Sequence, residues 1–595
     1  MAARRNTFAV DEDLETPFNV RHLLRAGVYI KRHTGKMIAA LVLSIASAVM
    51  ALFIPKISEW VLDDAVPNGN YTYLWQLLGL FIGILVFSTL CNAVRSRLTA
   101  KAAQGIIFDI REDLFAHLQK LPFSYYDSRP AGKILVRVVN YVNSVADILS
   151  NGIVDMVMQL LTLVLVAVFM FATDVKLALV IVAGMPLFVL TLLIIKPRQR
   201  RYWQVQSNKN SNFNAYLAES IDGVKVSELF SRQEENEDIF DTLLQACRKA
   251  WLDAVGISNT VWLSSALLTQ AVTTFLYLVG VYWYGGGSIV SFGVLSAMSQ
   301  YVSRFWQPIT NLANIYNSFI NNIAYLERIF ETMDEPVLID DASDAKDLPE
   351  VRGEVDFRHV TFGYEPEVNI LEDVTFHAER GESIALVGAT GAGKTTIVSL
   401  LSRFYDVNGG EILLDGQYDI SKVTLNSLRT QVGVMMQDSF IFSGTIRDNI
   451  RYGKLDATQE EIERAARAVC AHEFIMEMED GYDTVVSERG GRLSQGQKQL
   501  ISFARTLLSD PKILILDEAT SSIDTKTEKL LQRGIDTLMR GRTSFIVAHR
   551  LSTIRRCDRI FFVGSKGILE EGSHEELMEK KGLYYNLYTT QMGGI

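Results

Sequence analysis

Cysteine is scarce: four in 595 residues, at 91, 247, 470 and 557, with no Cys-x-x-Cys pair among them. That excludes a disulfide scaffold and a clustered-cysteine zinc site. Charge is also low at 21%, and cations are the minority, 58 Lys and Arg against 68 Asp and Glu. A net charge of −10 argues against a dedicated nucleic-acid binder, whose phosphate contacts need surplus cations. Hydrophobic residues reach 48%, more than a disordered chain carries, and the length calls for at least two domains. The composition is that of a membrane protein with a large soluble part.

The hydrophobic residues are concentrated at the front. Met37 to Ile54 is eighteen residues without a charge, roughly 27 Å of helix and close to a hydrocarbon core. Similar runs extend over about 73–93, 152–171, 177–195 and 260–284. A sixth, about 289–319, is more polar. Its Gln300, Arg304, Gln307 and Asn311 fall on one helical stripe, which suits an internal cavity better than lipid. Six spans are therefore expected. The segment before Met37 is too long and too charged for a cleavable signal peptide. Lys and Arg crowd the connections after the second and fourth spans, while the other three hold only Lys56 and Lys176. The positive-inside rule then puts the N-terminus, both long loops and the C-terminal half in the cytoplasm, in a multi-pass protein of the cytoplasmic membrane.

After about Glu331 the pattern changes. The expected organisation is a cytoplasmic segment over 1–36, a membrane domain over 37–330, a linker over 331–350 and an α/β domain over 351–595. In the last of these, the apolar strand Ser383–Val387 runs directly into Gly388, Ala389, Thr390, Gly391, Ala392, Gly393, Lys394, Thr395 and Thr396. This matches G-x-x-x-x-G-K-[ST]: glycines let backbone N–H groups wrap a phosphate, and the following helix adds its positive end. Lys394 is placed to reach the β- and γ-phosphates, and Thr395 to hold Mg²⁺. A second apolar run, from Ile513, closes on Asp517 and Glu518. An ordinary strand edge can look the same; beside a phosphate loop, Asp517 suits the metal and Glu518 the general base.

Between these motifs stands Leu493-Ser494-Gln495-Gly496-Gln497, which resembles the LSGGQ signature of ABC ATPases. Other marks of that family follow in order. Tyr364 resembles the adenine-stacking aromatic, and Gln437 the glutamine that senses Mg²⁺, water and the membrane domain. Ser487-Glu488-Arg489-Gly490 resembles the exporter X-loop, and Ser521 to Asp524 the D-loop. His549 resembles the switch histidine at the γ-phosphate. The front half resembles the six-span bundle of type IV ABC half-exporters. In it, Phe123 to Asp127 through Gly132 and Arg137 looks like the first coupling-helix region and Ala218 to Gly223 like the second.

The resemblance implies an ATP hydrolase using ATP and Mg²⁺, built as a six-span helical bundle with long cytoplasmic extensions fused to a P-loop nucleotide-binding domain. Gln437, Glu518 and His549 would act in hydrolysis; Tyr364 and residues 388 to 396 would bind ATP. Thr395, Gln437 and Asp517 would hold Mg²⁺. The signature, with Asp524, would act on ATP held by a second half-transporter. The implied function is alternating-access export of hydrophobic or amphipathic small molecules, multidrug fashion, through a lipid bilayer. Gln495 departs from the usual signature glycine, and such a signature beside Glu518 and His549 looks like the intact half of heterodimeric exporters. A heterodimer is therefore expected. The alternatives are a homodimeric lipid or peptide exporter and a regulatory or channel-like protein. No protease-like domain precedes the first span, which disfavours a leader-trimming peptide exporter. Substrate contacts are open. Trp262, Phe275, Tyr277, Tyr282, Tyr301, Phe305, Trp306 and Tyr316 suit either a drug cavity or packing. Asn311, Asn314, Asn317 and Arg304 suit either a polar pathway or structural pairing.

Overall fold

The computed structural model describes residues 20–284, 290–365, 368–436, 439–487, 490–517, 525–548 and 551–592. Gln437, Glu488, Arg489, Glu518, Ser521 to Asp524 and His549 lie outside the described residues. The chain divides into two compact units: residues 1–118 with 132–334, and residues 119–131 with 335–595. A short stretch on the first long loop, holding the helix Phe123–Asp127, groups with the α/β unit.

All elements of the first unit among the described residues are helices. Its long helices are Val20–Trp60, Tyr71–Leu118, Ile153–Thr173, Met185–Asp222, Gln233–Tyr284 and Phe292–Met333. Among the described residues, five continuous helical stretches are long and apolar enough to cross a membrane. Phe292–Met333, corresponding to the sixth and most polar run, is also one unbroken helix but is not among those five. The termini are where side-chain chemistry puts them. Asp174 breaks to an extended conformation and accepts from the Leu177 amide at 2.9 Å, starting the next helix. Ser291 caps Phe292–Met333 in the same way, accepting from the Val294 amide.

Pro55 lies inside the first long helix and cannot donate the hydrogen bond that the Ala51 carbonyl would otherwise receive. Arg304 Nη1 donates to that carbonyl at 2.9 Å, and the Tyr301 hydroxyl donates to the Leu52 carbonyl at 3.0 Å. A freed backbone acceptor in a lipid-spanning segment needs such a replacement donor. Around this seam packs a core of Phe188, Tyr301, Phe305 and Trp306, with the Phe188 and Trp306 rings stacked at 4.7 Å.

The second unit is α/β. Its strands are β1 (Val355–Phe362), β2 (Leu371–Ala378), β3 (Ser383–Val387), β4 (Gly409–Leu414), β5 (Tyr418–Asp419), β6 (Val432–Met435), β7 (Gly444–Thr445), β8 (Val485–Val486), β9 (Ile513–Asp517), β10 (Thr543–Val547), β11 (Arg559–Gly564) and β12 (Gly567–Gly572). An antiparallel sheet runs β2-β1-β4-β5, and a six-stranded sheet runs β12-β11-β3-β10-β9-β6. β3 and β10 are buried along their whole length, as near-continuous apolar strands in a parallel sheet should be. One core cluster lies between the two sheets, and the other packs the helical subregion against β6, β9 and β10.

Candidate nucleotide site

The parallel strands β3, β10 and β9 are neighbours in register: Val547 of β10 pairs with Leu386 on one side and Asp517 on the other. Their C-terminal ends therefore share one edge of the sheet, where open α/β sheets bind ligands. Gly388 to Gly393 leave that edge directly from β3, and Asp517 ends β9 beside it.

The loop's shape depends on glycine. Gly388 has φ +143°, and a Cβ there would stand 2.2 Å from the Val563 carbonyl oxygen. No side chain fits. Gly393, at φ +103°, precedes the helix Lys394–Leu401, whose first N–H groups have no partner within the helix. Lys394 is buried; its ammonium donates to the Gly388 and Ala389 carbonyls, both at 2.8 Å. Burial pulls its pKa below the ordinary lysine value, and the Asp517 carboxylate opposes that shift. Thr395 begins the helix exposed. The fit to a nucleotide's phosphates is one of chemistry: free helical N–H groups, a desolvated cation and an acid within electrostatic reach on one sheet edge.

Tyr364 follows β1 and is half-exposed. Its hydroxyl shares a 3.2 Å hydrogen bond with that of Thr396 in the helix behind the loop. Its ring meets Phe362 and Tyr405 edge-on at 5.0 and 5.1 Å. Next to Tyr405, Phe404 stacks on Phe123 of the helix Phe123–Asp127 at 5.3 Å. Burial, then the nearby Asp127 carboxylate and Tyr364, push the Tyr405 hydroxyl up to about 12. One aromatic chain thus joins the helix Phe123–Asp127 to the tyrosine beside the phosphate loop. Sequence reasoning did not single out Tyr405. The signal available to it was the aromatic pair at the end of the loop helix.

The signature begins a helix as well. Ser494 is extended, and its hydroxyl accepts from the Gln497 amide at 3.2 Å, while Gln497 Oε1 accepts from the Ser494 amide at 2.9 Å. This capping box fixes the start of Gln495–Ser509. Leu493 and Gly496 are buried; Ser494 and Gln495 are exposed. Gln495 needs no positive φ, so its extra side chain costs no backbone strain. Flexibility lost by replacing the glycine is therefore not visible as distortion.

Of the expected site residues, Tyr364, the phosphate loop and Asp517 come together. Gln437, Glu518, Asp524 and His549 lie outside the described residues. In the helical unit the open alternatives separate. Tyr301, Phe305 and Trp306 are core, whereas Trp262, Phe275 and Tyr282 are exposed. Arg304 serves the Ala51 carbonyl rather than an acid, and Asn314 accepts from Lys196 at 2.6 Å. The side chains of Tyr316 and Asn317 are not among those described.

Comparison with known proteins agrees with both halves. Residues 37–309 match the ABC transporter transmembrane region, and residues 371–521 match the ABC transporter family model. YknV of Bacillus subtilis, an uncharacterized ABC transporter ATP-binding protein, is 39% identical over 98% of this chain and 97% of its own. YgaD of the same organism, named for multidrug export, is 35% identical over 95% of this chain and 98% of its own. A fatty acid ABC transporter ATP-binding/permease protein of Mycobacterium bovis is 37% identical over 87% of this chain and 82% of its own. Among solved structures, a bacterial Atm1-family ABC exporter with ATP bound superposes with a TM-score of 0.78. It is 27% identical, over 94% of this chain and 98% of that one.

Proposed function

The chain belongs to the ABC exporters, a multi-pass membrane region fused to an ATPase that drives transport, and from that premise we propose that it exports hydrophobic or amphipathic small molecules. It acts as one half of a dimer in the cytoplasmic membrane, with the N-terminus and the ATPase in the cytoplasm. A single observation carries the reading. The chain has one phosphate loop, at the β3 edge, and one capped signature helix, at Ser494. The family pairs these head to tail, so an ATP site needs a second chain opposite.

In this reading Tyr364 stacks on adenine, and the Gly388–Thr396 loop wraps the phosphates. Thr395, Asp517 and Gln437 would hold Mg²⁺, which would supply neutralisation of the phosphate charge. Glu518 takes the proton of the attacking water, and His549 holds the γ-phosphate. Ser494 and the N–H groups that start its helix contact ATP held by the partner half. ATP drives the cycle because it binds the closed pair better than the open one. The names of relatives support both a multidrug and a lipid-directed substrate range. The Gln495 signature favours a heterodimer.

The test is Mg²⁺-dependent ATPase activity and oligomeric mass of this chain alone in lipid, with and without hydrophobic cations. An inactive chain that still binds ATP supports a missing partner half. A stable dimer that turns over ATP at full rate refutes the heterodimer.

A further inference from the structure

Acidic residues are missing from two long stretches of the membrane unit. There is no Asp or Glu between Asp174 and Glu219, nor between Asp253 and Glu327. These stretches supply the helix Met185–Asp222 as far as Ala218, the second half of Gln233–Tyr284, and Phe292–Met333 up to Leu326. Arg304, the cation within the second stretch, is taken up by the Ala51 carbonyl. Lys196 is different. It follows the apolar run 177–195 and is partly buried, and its ammonium donates to Asn314 Oδ1 at 2.6 Å. Among the described residues it pairs with no carboxylate.

Asn314 does not stand alone on its helix. Ser303, Gln307, Asn314 and Ser318 are all exposed, and at helical spacing they fall within about 60° around the axis. Amides and hydroxyls in a row are costly against hydrocarbon, so this face is suited to a polar pathway. It carries neutral groups and, through Asn314, one cation. An ammonium offers three donors and Asn314 uses one, which leaves two for an incoming ligand.

We infer that Lys196, held by Asn314, is the head-group site for the exported molecule, and that this molecule is an amphipathic carboxylate: one anionic head on a hydrocarbon chain. The inference rests on the export reading and narrows it. A lipophilic cation would meet an unopposed ammonium on this face, with no acid in residues 175–218 or 254–326 to attract it. A fatty-acid-like anion supplies the missing counter-charge and leaves its chain to the apolar surface.

The probe is cis-parinaric acid, a fluorescent fatty acid, titrated into the full chain in phosphatidylcholine nanodiscs. Saturable binding is expected, displaced by oleate and untouched by tetraphenylphosphonium. Lys196→Gln should weaken it about tenfold, the size of one lost hydrogen bond to a charged group, and Lys196→Arg should hold it within about twofold. Equal binding by wild type and Lys196→Gln, or displacement by tetraphenylphosphonium, overturns the inference. The rescue by Arg separates head-group recognition from simple misfolding. Vesicle uptake driven by ATP keeps the two layers apart. Lys196-dependent binding without ATP-driven accumulation of oleate leaves the site standing and refutes export. Accumulation of tetraphenylphosphonium but not oleate refutes the anion site while export stands.

Discussion

Arg304 and Pro55 should behave as one unit. Pro55 removes the N–H that would bond Ala51, and the guanidinium supplies a replacement at 2.9 Å. Arg304→Leu alone leaves a partly buried carbonyl without its donor, a cost of about 1–3 kcal/mol. Pro55→Ala alone restores a backbone donor, and relieves the clash that proline brings to a helix interior. With both changes, the carbonyl is bonded within its own helix and no longer needs Arg304. The double variant should therefore recover about 1–2 kcal/mol relative to additive behaviour, within the usual range for groups in contact. Unfolding of a solubilised membrane chain of this size is a rate process, so the assay is the inactivation half-life of all four species at one elevated temperature. A coupling of that size lengthens the double variant's half-life about five- to thirtyfold over the additive expectation. Strict additivity would refute the pairing and return Arg304 to the list of possible pathway residues. Tyr301→Phe serves as a neighbouring control: it removes the donor to Leu52, whose carbonyl can still receive the amide of Lys56, so the loss should be smaller.

Other outcomes test the nucleotide site. Gly388→Ala should abolish ATP binding, read by a fluorescent ATP analogue, because its Cβ would overlap the Val563 carbonyl; normal binding refutes the close packing. Glu518→Gln should keep ATP binding and lower turnover by roughly two orders of magnitude or more; retained turnover means another group positions the water. Phe123→Ala should cost about 0.5–1.5 kcal/mol of stacking on Phe404 and uncouple substrate-stimulated from basal ATPase; unchanged stimulation would show that the aromatic chain carries no signal. Ser494→Ala should cost about 1 kcal/mol at the start of the signature helix and slow turnover in the assembled dimer; full turnover excludes the hydroxyl from the partner's γ-phosphate.

The apolar runs and the phosphate-loop pattern are legible in the chain because their cause is local. An uncharged eighteen-residue run must find a hydrophobic setting wherever it folds. A glycine pattern between strand and helix shapes a loop from its own backbone freedom. Ser383–Val387 and Ile513–Asp517 are strands as their β-branched, apolar sequences indicate, and each runs into its motif. Charge bias and the order of motifs required no coordinates either. What Arg304, Asn314, Lys196 and Tyr405 do was not legible, because their partners stand far away in the chain. Arg304 answers a proline 249 residues earlier, and Lys196 meets an amide 118 residues later. Tyr405 joins Tyr364 to the helix Phe123–Asp127, which groups with the α/β unit and not with the helices flanking it. Periodicity shows which residues share a face of one helix; it does not show which face another helix offers in return. That pairing is settled by packing, where a freed carbonyl or an unpaired ammonium must find its complement or leave a place for one.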